Sequence, residues 1–127
     1  MRYRVMVVED DSSIAQILLV ALGTLPNVEA VCAYSGEEAI RLWEERPADV
    51  VLVDYNMREM TGVELIRYLR ERGATQPMLM VTAYDSIDVQ HAASAAGVTS
   101  FITKPFFIDQ LVAQIRAFLP KESTAPA

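Results

Sequence analysis

Cysteine is nearly missing from this chain: Cys32 is the only one in 127 residues. A single thiol excludes an internal disulfide and a cysteine-rich metal site, and it suits a reducing compartment. Basic residues are also short, with 11 Lys and Arg against 17 Asp and Glu and a formal net charge of −6. Without a basic face, this segment is not expected to hold nucleic acid phosphates directly. No apolar run approaches the roughly 18 residues of a membrane span. Residues 1–8 lack the basic start, long apolar stretch and small-residue cleavage site of a signal peptide. A cytoplasmic protein with no membrane association is the expectation. What the chain does have is apolar content. Hydrophobic residues make up 52% and charged residues 22%, enough for one compact core at a length that leaves little room for a second domain.

Short apolar runs alternate with longer stretches of helical period. Val5-Met6-Val7-Val8 runs into the acidic cluster Glu9-Asp10-Asp11. Ile14, Ile17, Leu18, Ala21, Leu22 and Leu25 then recur at the spacing of one helix face, with Asp11 or Ser12 as its cap. Val28 to Tyr34 reads as a strand, and Ser35 to Arg46 as a helix with Ala39, Leu42 and Trp43 inward. Val50-Val51-Leu52-Val53 ends at Asp54, and Val63, Leu65, Ile66 and Leu69 mark the next helix, which stops near Gly73. Met78-Leu79-Met80-Val81 leads to Thr82, and Asp88 to Ala96 reads as a helix closed by Gly97. Phe101-Ile102 leads to Lys104-Pro105, and Ile108, Leu111, Val112, Ile115 and Leu119 define a closing helix. Five strand–helix units in this order predict an α/β domain: a doubly wound, flavodoxin-like five-stranded parallel sheet of order 2-1-3-4-5. Strands that are apolar at every position are expected where helices cover both faces. The expected domain is 1–120. Residues 121–127 have a linker-like composition and suit equally a natural end or the start of a linker to an output domain.

In such a sheet, ligands sit beyond the carboxyl ends of the strands, near the point where strand order reverses. Polar groups stand at four of those ends: Glu9, Asp10 and Asp11 after strand one, Asp54 after strand three, Thr82 after strand four and Lys104 after strand five. The predicted order brings all of them to one rim. Clustered carboxylates repel unless a cation lies between them. Mg²⁺ is the natural choice, because it takes hard oxygen ligands and keeps waters for an incoming phosphate. A carboxylate beside it can attack phosphorus and form an acyl phosphate, with Lys104 and Thr82 answering the charge on the transferring oxygens. Taken singly, each residue is ordinary: a capping acid, a turn aspartate, a solvated Lys-Pro turn. Their joint order carries the chemistry.

The stretches VMVVEDD (Val5–Asp11), VVLVDYNMREMTG (Val50–Gly62), MLMVTAY (Met78–Tyr84) and SFITKPF (Ser100–Phe106) resemble the receiver domains of bacterial two-component response regulators, from about Val5 to Leu119. The resemblance implies that Asp54 is the phosphoacceptor, and that Asp10 is the principal metal carboxylate with Glu9 helping through water. It implies a metal contact from the Asn56 backbone carbonyl, a Thr82 hydroxyl that moves onto the phosphoryl group, and Lys104 as the ion-pairing partner. Phe101 takes the place of the family's aromatic switch, and Asn56 and Tyr84 take positions that tune hydrolysis. Arg58 departs from the family, which usually has proline after Met57. The loop then loses a fixed φ, and Arg58 is either solvated or reaches toward the site or a partner.

The implied function is that of a switch: Asp54 accepts a phosphoryl group from a sensor histidine kinase or phosphotransfer protein, and the change passes to an output domain or a downstream protein. The protein is then no enzyme beyond its own phosphorylation and slow self-dephosphorylation. Phosphorylation adds charge that draws on Thr82 and Lys104. The expected output face is therefore the fourth helix, fifth strand and fifth helix, with a phosphorylation-dependent homodimer as one form of output. The fourth helix is rich in Ala and short of large anchors, so it is expected to dock loosely. Two other functions compete. An Mg²⁺-dependent aspartyl phosphohydrolase usually carries its nucleophile after the first strand and an inserted cap, neither of which is present here. A pseudo-receiver scaffold would bind partners without phosphorylation, which the retained Asp10, Asp54, Thr82 and Lys104 argue against. A flavin module of the same fold would need a Ser/Thr/Gly-rich loop after strand one.

Overall fold

In a computed structural model of the chain, residues 2–83 and 87–119 are described. Tyr84 and the 121–127 tail lie outside them. Ten elements alternate along the chain: β1 (Tyr3–Val8), α1 (Ser12–Leu22), β2 (Val28–Ala33), α2 (Gly36–Glu45), β3 (Val50–Asp54), α3 (Gly62–Glu71), β4 (Met78–Thr82), α4 (Ile87–Ala96), β5 (Ser100–Thr103) and α5 (Ile108–Phe118). The strands are all parallel, in the order β2-β1-β3-β4-β5. This is the expected doubly wound arrangement.

The sheet explains its own composition. Successive side chains of a strand point to opposite faces, and both faces here are covered. On one side Val5, Val7, Leu52 and Leu79 meet Leu18 and Leu22 of α1 and Leu111 and Ile115 of α5. On the other side Met6, Val8, Val51 and Met80 meet Ala39 of α2, Ile66 and Leu69 of α3, and Ala93 and Ala96 of α4. Every residue of β3 and β4 is buried, Asp54 and Thr82 included.

Helix starts follow capping chemistry. Asp11 caps α1, accepting from the Ser13 and Ile14 amides at 2.9 and 3.1 Å, so the acid rather than Ser12 takes that role. Thr61 and Glu64 form a reciprocal capping box at the head of α3, with bonds of 3.2 and 2.9 Å. Three apolar expectations are only partly met. Ile17 is 54% exposed, because the apolar stripe of α1 is wider than the face its neighbours cover. Leu42 and Trp43, expected inward, are half-buried and pack on the edge of the core.

α4 is lightly packed, with only Ala93 and Ala96 buried. Its end is held from outside. Arg70 on α3 donates through Nε and Nη2 to the Gly97 carbonyl at 3.0 and 2.9 Å, and through Nη1 to the Ala74 carbonyl at 3.0 Å. Gly97 has φ +106 and faces the Arg70 side chain so closely that a Cβ would stand 2.9 Å from it. Both the left-handed backbone and the crowding call for glycine.

Candidate functional site

The carboxyl ends of β1, β3, β4 and β5 meet at one rim, and the pairing shows how. Val8 lies opposite Val53, which sets Glu9 and Asp10 beside Asp54. Asp54 lies opposite Val81, and Thr82 opposite Thr103. The Lys104 amide donates to the Thr82 carbonyl at 2.9 Å, which fixes the chain just after β5 against the end of β4.

Glu9 and Asp54 are 4% and 5% exposed, and Asp10 is partly open to solvent. One ligand oxygen from each of the three lies within 4.8 Å of the others. Three carboxylates this close need positive charge, and the chain supplies some of it. Lys104 Nζ stands 3.1 Å from Asp54 Oδ1, which also accepts from the Asn56 amide at 3.3 Å. Arg58 Nε stands 3.6 Å from Asp10 Oδ2. Glu9 accepts from the Asp11 amide at 3.0 Å. Burial pushes the Glu9 carboxyl up to about 7 and the nearby Asp54 charge adds to the rise, while the Asp11 amide and the Lys104 charge oppose it. The donor set is all carboxylate oxygen and partly open, which fits a hard divalent cation such as Mg²⁺.

The loop from Asp54 to α3 is held at both ends. The Met57 and Gly62 amides donate to the Tyr55 carbonyl at 3.3 and 3.2 Å, Met57 is buried, and the capping box closes the far side. Gly62 passes so near the Asp54 backbone that a Cβ would stand 2.8 Å from its carbonyl oxygen. Arg58, at the family's usual proline position, is exposed between these anchors.

Glu9, Asp10, Asp54 and Lys104 thus converge as anticipated, with Thr82 buried at the same rim. Asn56 is exposed and adjoins the site through its backbone amide. Phe101 is half-buried against the core on the sheet face to which Thr82 belongs by alternation from Met80. Tyr84 lies outside the described residues. His91 is exposed on α4. The Arg70 clamp and the close approach at Gly62 escaped the sequence. An arginine inside a helical pattern reads as surface charge, and a glycine before a helix reads as punctuation.

Comparison with known proteins gives a consistent result. The family model of the response regulator receiver domain matches residues 5–116. The response regulator MprA of Mycobacterium sp. (strain KMS) is 33% identical over 123 residues, covering 97% of this chain and 53% of that protein. The transcriptional regulatory protein CiaR of Streptococcus pneumoniae is 30% identical over 118 residues, covering 93% of this chain and 52% of CiaR. The chain therefore spans about half the length of these curated relatives. Among solved structures, chemotaxis protein CheY4 of Vibrio cholerae superposes with a TM-score of 0.87 at 29% identity, covering 94% of this chain and 100% of that one. The receiver domain of the Francisella response regulator 1452 gives 0.84 at 27% identity, covering 92% and 96%.

Proposed function

The chain belongs to the response regulator receiver domain family of two-component signalling, and from that premise we propose that it stores its signal as an acyl phosphate on Asp54. The observation that carries this is the contact of Lys104 Nζ with Asp54 Oδ1 at 3.1 Å, beside the carboxylates of Glu9 and Asp10. An Asp54 carboxylate oxygen attacks the phosphorus of a phosphohistidine on a sensor kinase or phosphotransfer protein. The new O–P bond forms as the donor's P–N bond breaks, and the imidazole leaves with the electron pair and takes a proton from solvent. Lys104 and the Thr82 hydroxyl answer the charge spread over the transferring oxygens. Glu9, Asp10, Asp54 and the Asn56 carbonyl are the groups that would hold Mg²⁺, which when bound supplies the remaining charge neutralisation. The domain turns over only its own phosphoryl group; Asn56 and Tyr84 tune how long that group survives.

Docking of the donor is supported by the surface next to Lys104. α1 carries no charged residue, Ile17 and Val20 are 54% and 71% exposed, and Phe107 is 70% exposed. A cavity of about 490 Å³ lined by Ile14, Ile17, Pro105, Phe106 and Ile108 runs to Lys104. Apolar patches beside a reactive group are where partners bury surface. The output leaves through α4, β5 and α5, the last of which also borders the donor cavity at Ile108, toward an output domain, a downstream protein or a second copy of the chain.

Incubation with Mg²⁺ and acetyl phosphate, read by intact mass, tests the proposal. A phosphate adduct is expected, and Asp54→Asn should abolish it. Ile17→Asp should take the label from acetyl phosphate like the parent protein and take it more slowly from the cognate kinase. No adduct removes phosphorylation and leaves a partner-binding scaffold; an adduct that survives Asp54→Asn removes Asp54 as the acceptor. Equal kinase rates for Ile17→Asp remove the docking face.

A further inference from the structure

Arg58 is a charged group at the rim that phosphoryl transfer does not employ. Its Nε stands 3.6 Å from Asp10 Oδ2; the Arg58 side chain is 86% exposed and that of Asp10 20% exposed. Among the described residues, two cations from different loops therefore face the three carboxylates, Lys104 on Asp54 and Arg58 on Asp10. The two pairs differ in kind. Lys104 is within hydrogen-bond reach of a buried acid, whereas Arg58 makes a longer contact from solvent.

An oxygen that faces a guanidinium cannot face a divalent cation until the guanidinium retreats, because the two positive charges repel. Arg58 has somewhere to go. Beside it lies a cavity of about 340 Å³ lined by Asp10, Tyr34, Glu37 and Glu59 among others. The loop around Arg58 does not have to move with it, since buried Met57 and the Thr61–Glu64 capping box fix the chain on both sides. Proline at this position could not make the contact.

We propose that Arg58 is a built-in competitor of the divalent cation: it pairs with Asp10 in the metal-free domain and must withdraw before a cation can bind there. This rests on Glu9, Asp10 and Asp54 being the metal carboxylates. Removing the side chain should tighten Mg²⁺ binding by about 2- to 5-fold, the range of an exposed ion pair, and more at low ionic strength than at high.

Titration of the full chain with Mg²⁺, followed by the amide resonances of Glu9, Asp10 and Asn56 and by the Arg58 Nε–Hε resonance, tests this without any phosphoryl donor. Arg58→Ala and Arg58→Gln should bind Mg²⁺ more tightly than the parent, with melting in chelator lowered by no more than the loss of one exposed ion pair. Arg67→Ala, which removes the same charge from the exposed face of α3, should bind as the parent does. In the parent, the Arg58 resonance should move with the same midpoint as the Asp10 amide. Equal affinities for the parent and both Arg58 variants overturn the proposal, as does equal tightening by Arg67→Ala or a site that Mg²⁺ does not perturb. Acetyl phosphate labelling of Asp54 is scored separately. Loss of the label with competition intact removes the signalling function alone, and the reverse removes only the role of Arg58.

Discussion

Glu9 is buried beside two other acids, and its carboxyl is pushed up to about 7 from an ordinary 4.5, chiefly by loss of water. The folded domain therefore keeps a proton that the unfolded chain gives up. The contribution of Glu9 to stability is complete below about 4.5 and is lost as pH rises through about 7. In chelator, the urea midpoint of the parent protein should fall between about pH 5 and pH 8, and Glu9→Gln should flatten that fall; parallel profiles would contradict the assignment. A site of this kind has a cost in stability that a bound cation would offset. The longer side chain of Glu9 still reaches the carboxylate cluster. Its burial follows from position alone, since it extends a strand that is fully buried from Val5 onward. The choice between Asp11 and Ser12 as the cap of α1 was open in the sequence, because both residue types suit the role; the paired amide contacts of Asp11 resolve it.

At the level of elements, α4 combines a weak interior with a strong end. Ala93 and Ala96 bury little apolar surface, so the helix gains little from the core, while Arg70 pins the turn that follows. Motion in α4 should thus be easiest near its start, next to the Thr82 end of β4. Amide exchange over 87–106 should change on phosphorylation of Asp54, while that of Val5–Val8 stays as it was; unchanged exchange over 87–106 would remove α4-β5-α5 as the output face. β1, β3 and β4 were legible because an all-apolar run of four residues ending in a polar group, set between helical stretches, is what a buried parallel strand requires. α1 was legible as a helix but not in its facing, since Ile17 keeps the core spacing and is nevertheless exposed. Apolar periodicity reports what a helix can bury, and neighbours decide what it does bury.

For the whole molecule, topology and site were tied together in the sequence. The order 2-1-3-4-5 makes β1 and β3 neighbours, and with that alone Asp10 must approach Asp54, as the register confirms. What topology could not supply was contact through long side chains. The reach of Arg58 to Asp10 and of Arg70 to Gly97 depends on side-chain torsions that no periodicity records. The proposed function gives the molecule two working sides about Lys104, an apolar one on α1 suited to a donor and a lightly packed one on α4 suited to output. Both depend on one covalent event, so the direct test is where the phosphoryl group resides. Borohydride reduces an acyl phosphate to an alcohol, and peptide mass mapping of the reduced, acetyl phosphate-treated protein locates it. Homoserine in place of Asp54, and at no other acid, is the result predicted; a reduced residue elsewhere, or a phosphate that resists borohydride, would contradict it.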